Sequence, residues 1–157
     1  PLVNVKEVLP YIKAVIECGI FEVAIKVRPM IVDAFYEDLK VLYPKVNNIP
    51  IYNGEILSDG LNFDVFIGSH STAVLEASII NKLSIFVNTQ KWGDYFGIDN
   101  LINNEKLLCS NSNDIVNHII RRVENEKKFN SISKIRNSFF GSNKDGAQWM
   151  VDQIEKF

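Results

Sequence analysis

Cysteine is scarce in this 157-residue chain, which holds only Cys18 and Cys109. A small secreted scaffold stapled by disulfides carries more of them at closer spacing, so free thiols of a reducing cytoplasm are expected. Basic blocks are missing as well. The 17 Lys and Arg against 19 Asp and Glu leave a formal net charge of −2, and no basic run is longer than a pair such as Arg121–Arg122. That balance offers no footprint for a large nucleic-acid surface, and nucleic acid is not expected as a partner. No apolar stretch approaches the roughly 18 residues of a membrane span, and the N-terminus lacks the basic-then-apolar layout of a secretory leader. No G-x-G-x-x-G follows a strand-like run, which disfavours a dinucleotide oxidoreductase. No Asp-x-Asp pair and no His/Cys cluster at ligand spacing occurs, so neither a metal nor a bound cofactor is expected.

Apolar residues are plentiful, at 46%. A chain of this size buries roughly 70% of its unfolded surface on folding, enough for one core, and residues 1–157 are read as a single domain. Helical spacing runs through Val5, Val8, Leu9, Ile12, Val15 and Ile16 up to Gly19, with Pro10 predicting a kink or a late start. "FEVAIKV" (21–27) is β-prone, and "MIVDAFYEDLKVLYP" (30–44) returns to helical periodicity. "NIPIYN" (48–53) reads as a strand, "SDGLNF" (58–63) as a polar turn or short helix, and "DVFIG" (64–68) as a strand buried on both faces. "TAVLEASIIN" is a helix and "LSIFVN" (83–88) the next strand. A weak strand "KLLCS" (106–110) and the helices "NSNDIVNHIIRRVENEKK", "SISKIRNSFF" and "DGAQWMVDQIEKF" complete the pattern. Strands alternating with helices select an α/β class, a Rossmann-like three-layer domain with a mainly parallel sheet. The sequence starts at Pro1 rather than Met, and its first segment is a helix with no strand before it. The expectation is one domain of a longer chain.

In such sheets ligands bind beyond the carboxyl ends of the strands, where the loop Gly68-Ser69-His70-Ser71-Thr72 lies. Backbone N–H groups opening the following helix favour an anion. Ser69, Ser71 and Thr72 add hydroxyl donors, and His70 can donate to a phosphate oxygen. The same residues also suit a plain helix cap and turn. Glu76, one turn on, can accept two hydrogen bonds from vicinal hydroxyls such as those of ribose, or can be a solvated surface carboxylate. "NTQKWGDYFG" (88–97) suits either a mobile edge of the site, with Gln90 or Asp94 reaching a sugar hydroxyl, or an apolar contact with another domain.

The segment "VFIGSHSTAVLEASIINKLSIFVNT" resembles the nucleotide-binding segment of GT-B glycosyltransferases, sugar-nucleotide 2-epimerases and CDP-glycerol glycerophosphotransferases. The shared order is strand, Ser- or Gly-rich turn, "LEA" (Leu75, Glu76, Ala77), turn and strand; Asn81-Lys82-Leu83 replaces the usual Gly-Lys-Pro. "IKVRP" (25–29) is similar to a strand-end "KPHP" segment, with Arg28 where His is common. "FFGSNKDGAQWMVDQI" (139–154) resembles the closing helix of glycerophosphotransferase-like and capsule-polymer transferases.

The resemblance implies one half of a GT-B architecture. Glu76 would hold the ribose, and Ser69, His70, Ser71 and Thr72 the phosphates, with Lys26 and Arg28 adding positive charge; Tyr52, Asn53 and Gly54 would lie near the base. The implied substrate is a nucleotide-sugar of UDP or CDP/CMP type. The implied partners are an N-terminal domain carrying the catalytic base and a polysaccharide or lipid-linked acceptor at the inner face of the membrane. The isolated domain would be inactive. A glycerol- or ribitol-phosphate transferase and a 2-epimerase share these features. A non-catalytic α/β regulatory domain is the rival of another class.

Overall fold

The computed structural model describes residues 4–27, 34–102 and 106–141. Helix α1 (Val5–Glu17) opens on Asn4, whose side-chain oxygen accepts from the Lys6 amide at 3.0 Å. Such a cap contributes about 1 kcal/mol. Pro10 lies inside α1, which continues through it as one helix. Strands β1 (Ile25–Lys26) and β2 (Ile51–Tyr52) pair in parallel on either side of helix α2 (Ala34–Leu42) and a 3-10 turn at Pro44–Asn48. A short helix α3 (Ile56–Asp59) leads to β3 (Val65–Gly68). Next come α4 (Thr72–Glu76), β4 (Leu83–Val87) and β5 (Leu108–Cys109). Helices α5 (Ile115–Phe129) and α6 (Ser131–Phe140) follow.

Every strand pairing among the described residues is parallel, in line with an α/β class. Among the described residues the strands form two sheets, β1-β2 and β3-β4-β5, where one was expected. Helix α1 spans the junction. Its Val8, Tyr11 and Val15 pack with Leu83, Ile85 and Val87 of β4, while Leu9, Ile12 and Ile16 pack with the cluster of Ile25, Leu39 and Val46. Leu39 and Val46 are fully buried, and each such side chain contributes about 1.5 to 3 kcal/mol of transfer free energy.

The alternation of side chains along β4 builds the layers around the larger sheet. Leu83, Ile85 and Val87 face α1 and the α5 residues Ile115 and Ile119. Phe86 points the other way, into a cluster with Val74 and Leu75 of α4 and Ile135 of α6. Ser84 shares that second face and is buried because its hydroxyl donates to the Val74 carbonyl at 2.6 Å. A five-residue run of apolar and small residues is therefore needed throughout β4, since both faces are covered.

Several elements are shorter than their sequence patterns. The run "TAVLEASIIN" yields only one turn of α-helix. Ser78 donates to the Leu75 carbonyl at 2.7 Å, and residues 77–81 continue as tight turns ending at Asn81 with φ +58°. A serine bonded to the preceding turn, followed by two β-branched isoleucines, weakens helix continuation. Strand β3 was expected to be buried on both faces, yet Ile67 is 38% exposed. β3 is an edge strand, so its faces are only partly covered. The segment 21–27 contributes two strand residues rather than seven. Helix "DGAQWMVDQIEKF" and most of the 139–154 motif lie outside the described residues, as do Arg28 and the start of the 30–44 helix.

One polar network joins the last two helices to the sheet. Arg122, 1% exposed, donates to the Leu107 carbonyl at 3.3 Å and to Ser131 Oγ at 2.8 Å. Ser131 Oγ in turn donates to Glu126, whose other oxygen accepts from the Ile132 amide at 2.9 Å. Between the helices Asn130 adopts a left-handed conformation, φ +50°, and its amide closes α5 on the Glu126 carbonyl at 2.7 Å. Asparagine tolerates this conformation better than most residues.

Candidate functional site at the carboxyl end of the larger sheet

The loop after β3 turns sharply because Gly68 packs against α4. A Cβ built on Gly68 would meet Val74 Cγ2 at 2.6 Å. The glycine thus serves helix–strand packing. Gly68→Ala is expected to cost about 1 to 3 kcal/mol through overpacking, readable as a lower denaturation midpoint with an unchanged denaturant slope. A variant as stable as the parent would show that Val74 yields freely.

Ser71 caps α4 by position, with extended backbone, but its side chain makes no capping hydrogen bond. The Val74 amide is engaged by the Ser71 carbonyl at 3.1 Å. The amides of Thr72 and Ala73 and the hydroxyls of Ser71 and Thr72 have no hydrogen-bond partner among the described residues. With a single helical turn behind them, the dipole adds little. The donors themselves, on exposed Ser71 and Thr72, are what the site offers an anion.

Glu76 is half-buried, and its carboxylate has neither a hydrogen bond nor an ion pair among the described residues. Its four-residue spacing from Thr72 puts the two on one face of α4, while Val74 and Leu75 are buried on the other. Ser69 and His70 are joined differently. Ser69 Oγ lies 3.2 Å from His70 Nδ1. The His70 ring lies against Trp92, centroids 4.6 Å apart with planes 34° from parallel, and 5.7 Å from Tyr95 in an edge-on arrangement.

Trp92 and Tyr95 therefore pack within this chain, onto the very loop that the sequence singled out, and Phe96 extends the aromatic set to Phe86 of β4. The loop carrying them is pinned by two aspartates. Asp94 accepts from the Ile98 and Asp99 amides at 2.8 and 3.0 Å, and Asp99 accepts from Leu107 and Leu108 at 2.9 and 2.7 Å. The expectation that Asp94 reaches a sugar hydroxyl is corrected: both its oxygens cap a 3-10 turn at Ile98–Asn100. A residue type that accepts sugar hydroxyls equally accepts backbone amides, and only the tertiary position tells them apart.

Lys26 sits on the smaller sheet, with its ammonium 5.5 Å from the centre of the Tyr52 ring and 3.5 Å from the Val27 carbonyl. Tyr52 is itself held, packed edge-on against Phe63 at 4.9 Å with its hydroxyl donating to the Glu55 carbonyl at 2.9 Å. The described residues thus bring Ser69, His70, Ser71, Thr72 and Glu76 together on one strand–turn–helix unit and leave Lys26 on a separate sheet.

Two polar side chains at the end of β4 escaped sequence analysis. Thr89 is 4% exposed with its hydroxyl oxygen unpartnered, and Asn88 Oδ1 is likewise buried without a partner, although Asn88 Nδ2 donates to Ser110 Oγ at 3.3 Å. The signal was present as a polar pair directly after an apolar strand. Among the described residues no group of three or more His, Cys, Asp or Glu side chains could hold a metal, and no helix is long and apolar enough to cross a membrane. Comparison with protein-family models, with curated proteins and with solved structures gave no match.

Proposed function

We propose that this chain is the donor-binding domain of a GT-B-type glycosyltransferase. It would hold a UDP- or CDP-linked sugar at the carboxyl end of β3 and act with an N-terminal domain in surface-polysaccharide assembly. The observation that carries this reading is the pairing of unengaged groups on α4. Amides and hydroxyls at Ser71, Thr72 and Ala73 suit phosphate oxygens, and one turn along the same face the unpartnered Glu76 carboxylate suits a ribose diol. The order of strand, Ser-rich turn and Leu75-Glu76-Ala77 supports it from the sequence side.

In that reading the diphosphate leaving group is stabilised by fixed N–H and O–H donors that need no reorganisation as charge develops. Glu76 positions the nucleoside. The catalytic base and the acceptor surface belong to the other half of the cleft.

Calorimetric titration with UDP, CDP and CMP tests the proposal, and Glu76→Gln is expected to weaken nucleoside diphosphate binding by about 1 to 3 kcal/mol. Preference for CDP over UDP would shift the reading to glycerol- or ribitol-phosphate transfer. No binding of any nucleotide would leave only a non-catalytic α/β domain, and an unchanged affinity in the Gln variant would remove Glu76 from its role.

A further inference from the structure

Tyr95 is the only aromatic side chain among the described residues that stands mostly in solvent, at 56% exposure. Its place is fixed nonetheless. The ring lies 5.4 Å from Trp92, 5.0 Å from Phe96 and 5.7 Å from His70 between centroids, each pair edge-on. Its hydroxyl makes no hydrogen bond among the described residues. The loop beneath is held by its own backbone. The Trp92 and Gly93 amides donate to the Thr89 carbonyl at 3.2 and 2.8 Å, and the Gly97 amide to the Asp94 carbonyl at 3.0 Å. The Asp94 carboxylate takes the Ile98 and Asp99 amides. A large ring kept open to water by a built loop is a contact surface that needs little further ordering when a ligand covers it.

The neighbour of Tyr95 says what that ligand is. His70, which touches both Tyr95 and Trp92, is followed at once by Ser71 and Thr72 with their unengaged donors, and Glu76 lies one turn further along the Thr72 face. In chain order the donor row therefore runs between the aromatic wall and Glu76. A nucleoside diphosphate with its ribose at Glu76 and its phosphates along that row directs the group on its terminal phosphate toward Tyr95. A pyranose suits such a ring, being rigid and presenting a face of C–H bonds whose positive hydrogens meet the negative aromatic face. Glycerol and ribitol are acyclic and must lose rotational freedom to offer the same contact.

We propose that Tyr95, supported by Trp92 and Phe96, is the specificity-determining contact for the transferred group and selects a pyranosyl donor over an acyclic polyol donor. This rests on the nucleotide reading of Ser71, Thr72 and Glu76.

The test is calorimetric titration of the whole chain with UDP and UDP-glucose, and with CDP and CDP-glycerol, for the parent, Tyr95→Ala and Tyr95→Phe. Tyr95→Ala is expected to lower the affinity for UDP-glucose relative to that for UDP by about three- to tenfold, the size of one aromatic contact. Tyr95→Phe should keep the parent's ratio, because the ring remains and the hydroxyl has no partner to lose. The ratio of CDP-glycerol to CDP should be the same in all three. Comparing ratios cancels any shift of His70, which both ligands of a pair would feel alike. A UDP-glucose ratio that survives Tyr95→Ala, a CDP-glycerol ratio that falls as far, or a parent that binds UDP and rejects UDP-glucose would overturn this inference and leave the nucleotide site standing. A parent that binds none of the four would overturn the nucleotide reading itself, and this inference with it.

Discussion

Arg122→Ala is expected to lower the unfolding free energy by about 3 to 5 kcal/mol, the sum of a cavity and of acceptors left without donors. The side chain is 1% exposed and ties the entry to β5, through the Leu107 carbonyl, to the α5–α6 turn, through Ser131 and Glu126. Removing it strands the Leu107 carbonyl and loosens the Glu126 contact that caps α6 at Ile132. Urea denaturation is the direct measurement, and a fall in Tm of roughly 10 °C should accompany it. Arg122→Met separates the two contributions: it fills the space without donating, and about half of the loss should remain. An Ala variant within about 1 kcal/mol of the parent would mean that water replaces the guanidinium and that the network does not hold the helices.

The second large effect is a pH dependence from His118. Burial is the main reason its pKa falls from 6.5 to about 4, with the charges of Arg122 and Arg121 next; the Leu107 backbone and Asp99 act in the opposite direction. Lys106 and Asp114 also line a cleft that it borders. The unfolded chain binds a proton as pH drops through about 6.5, whereas the folded chain resists until about 4. The contribution is therefore fully present above about pH 6.5 and is lost as pH falls toward 4, reaching about 3 kcal/mol at its limit. Stability measured across this window for the parent and for His118→Gln isolates it, because carboxylate effects common to both cancel in the difference. A difference that stays flat from neutral pH to pH 4 would show that the ring reaches solvent when protonated.

Both effects belong to residues that look ordinary in sequence. Arg121–Arg122 reads as a basic pair on a polar helix, yet Arg121 is exposed and Arg122 is buried, because α5 turns about 100° per residue and neighbours on it point in different directions. His118 shares the inward face with Ile115, Ile119 and Arg122. Helical spacing predicts that they lie together. It does not predict that an imidazole and a guanidinium can be accommodated there, which depends on the Leu107 carbonyl and Ser131 arriving from elsewhere in the chain.

The candidate nucleotide loop was legible for a local reason. A strand, a small polar turn and an amphipathic helix start are encoded within a few residues, so Ser69 to Thr72 and Glu76 come out together wherever the unit is placed. The partners of that loop were not legible. Trp92 and Tyr95 pack against His70 because β3 and β4 are neighbours, with Gly68 in register with Phe86. Asp94 looked like a ligand-binding side chain, and its carboxylate accepts from the Ile98 and Asp99 amides instead.

By itself the sequence determined the alternation of strands and helices and the polar turn after β3, which follow from periodicity and side-chain chemistry over short spans. The tertiary structure alone decided the split into two parallel sheets, the edge position of β3 and the burial of Arg122 and His118. These depend on contacts between residues distant in sequence, and hydrophobic periodicity states which face is buried without stating what covers it.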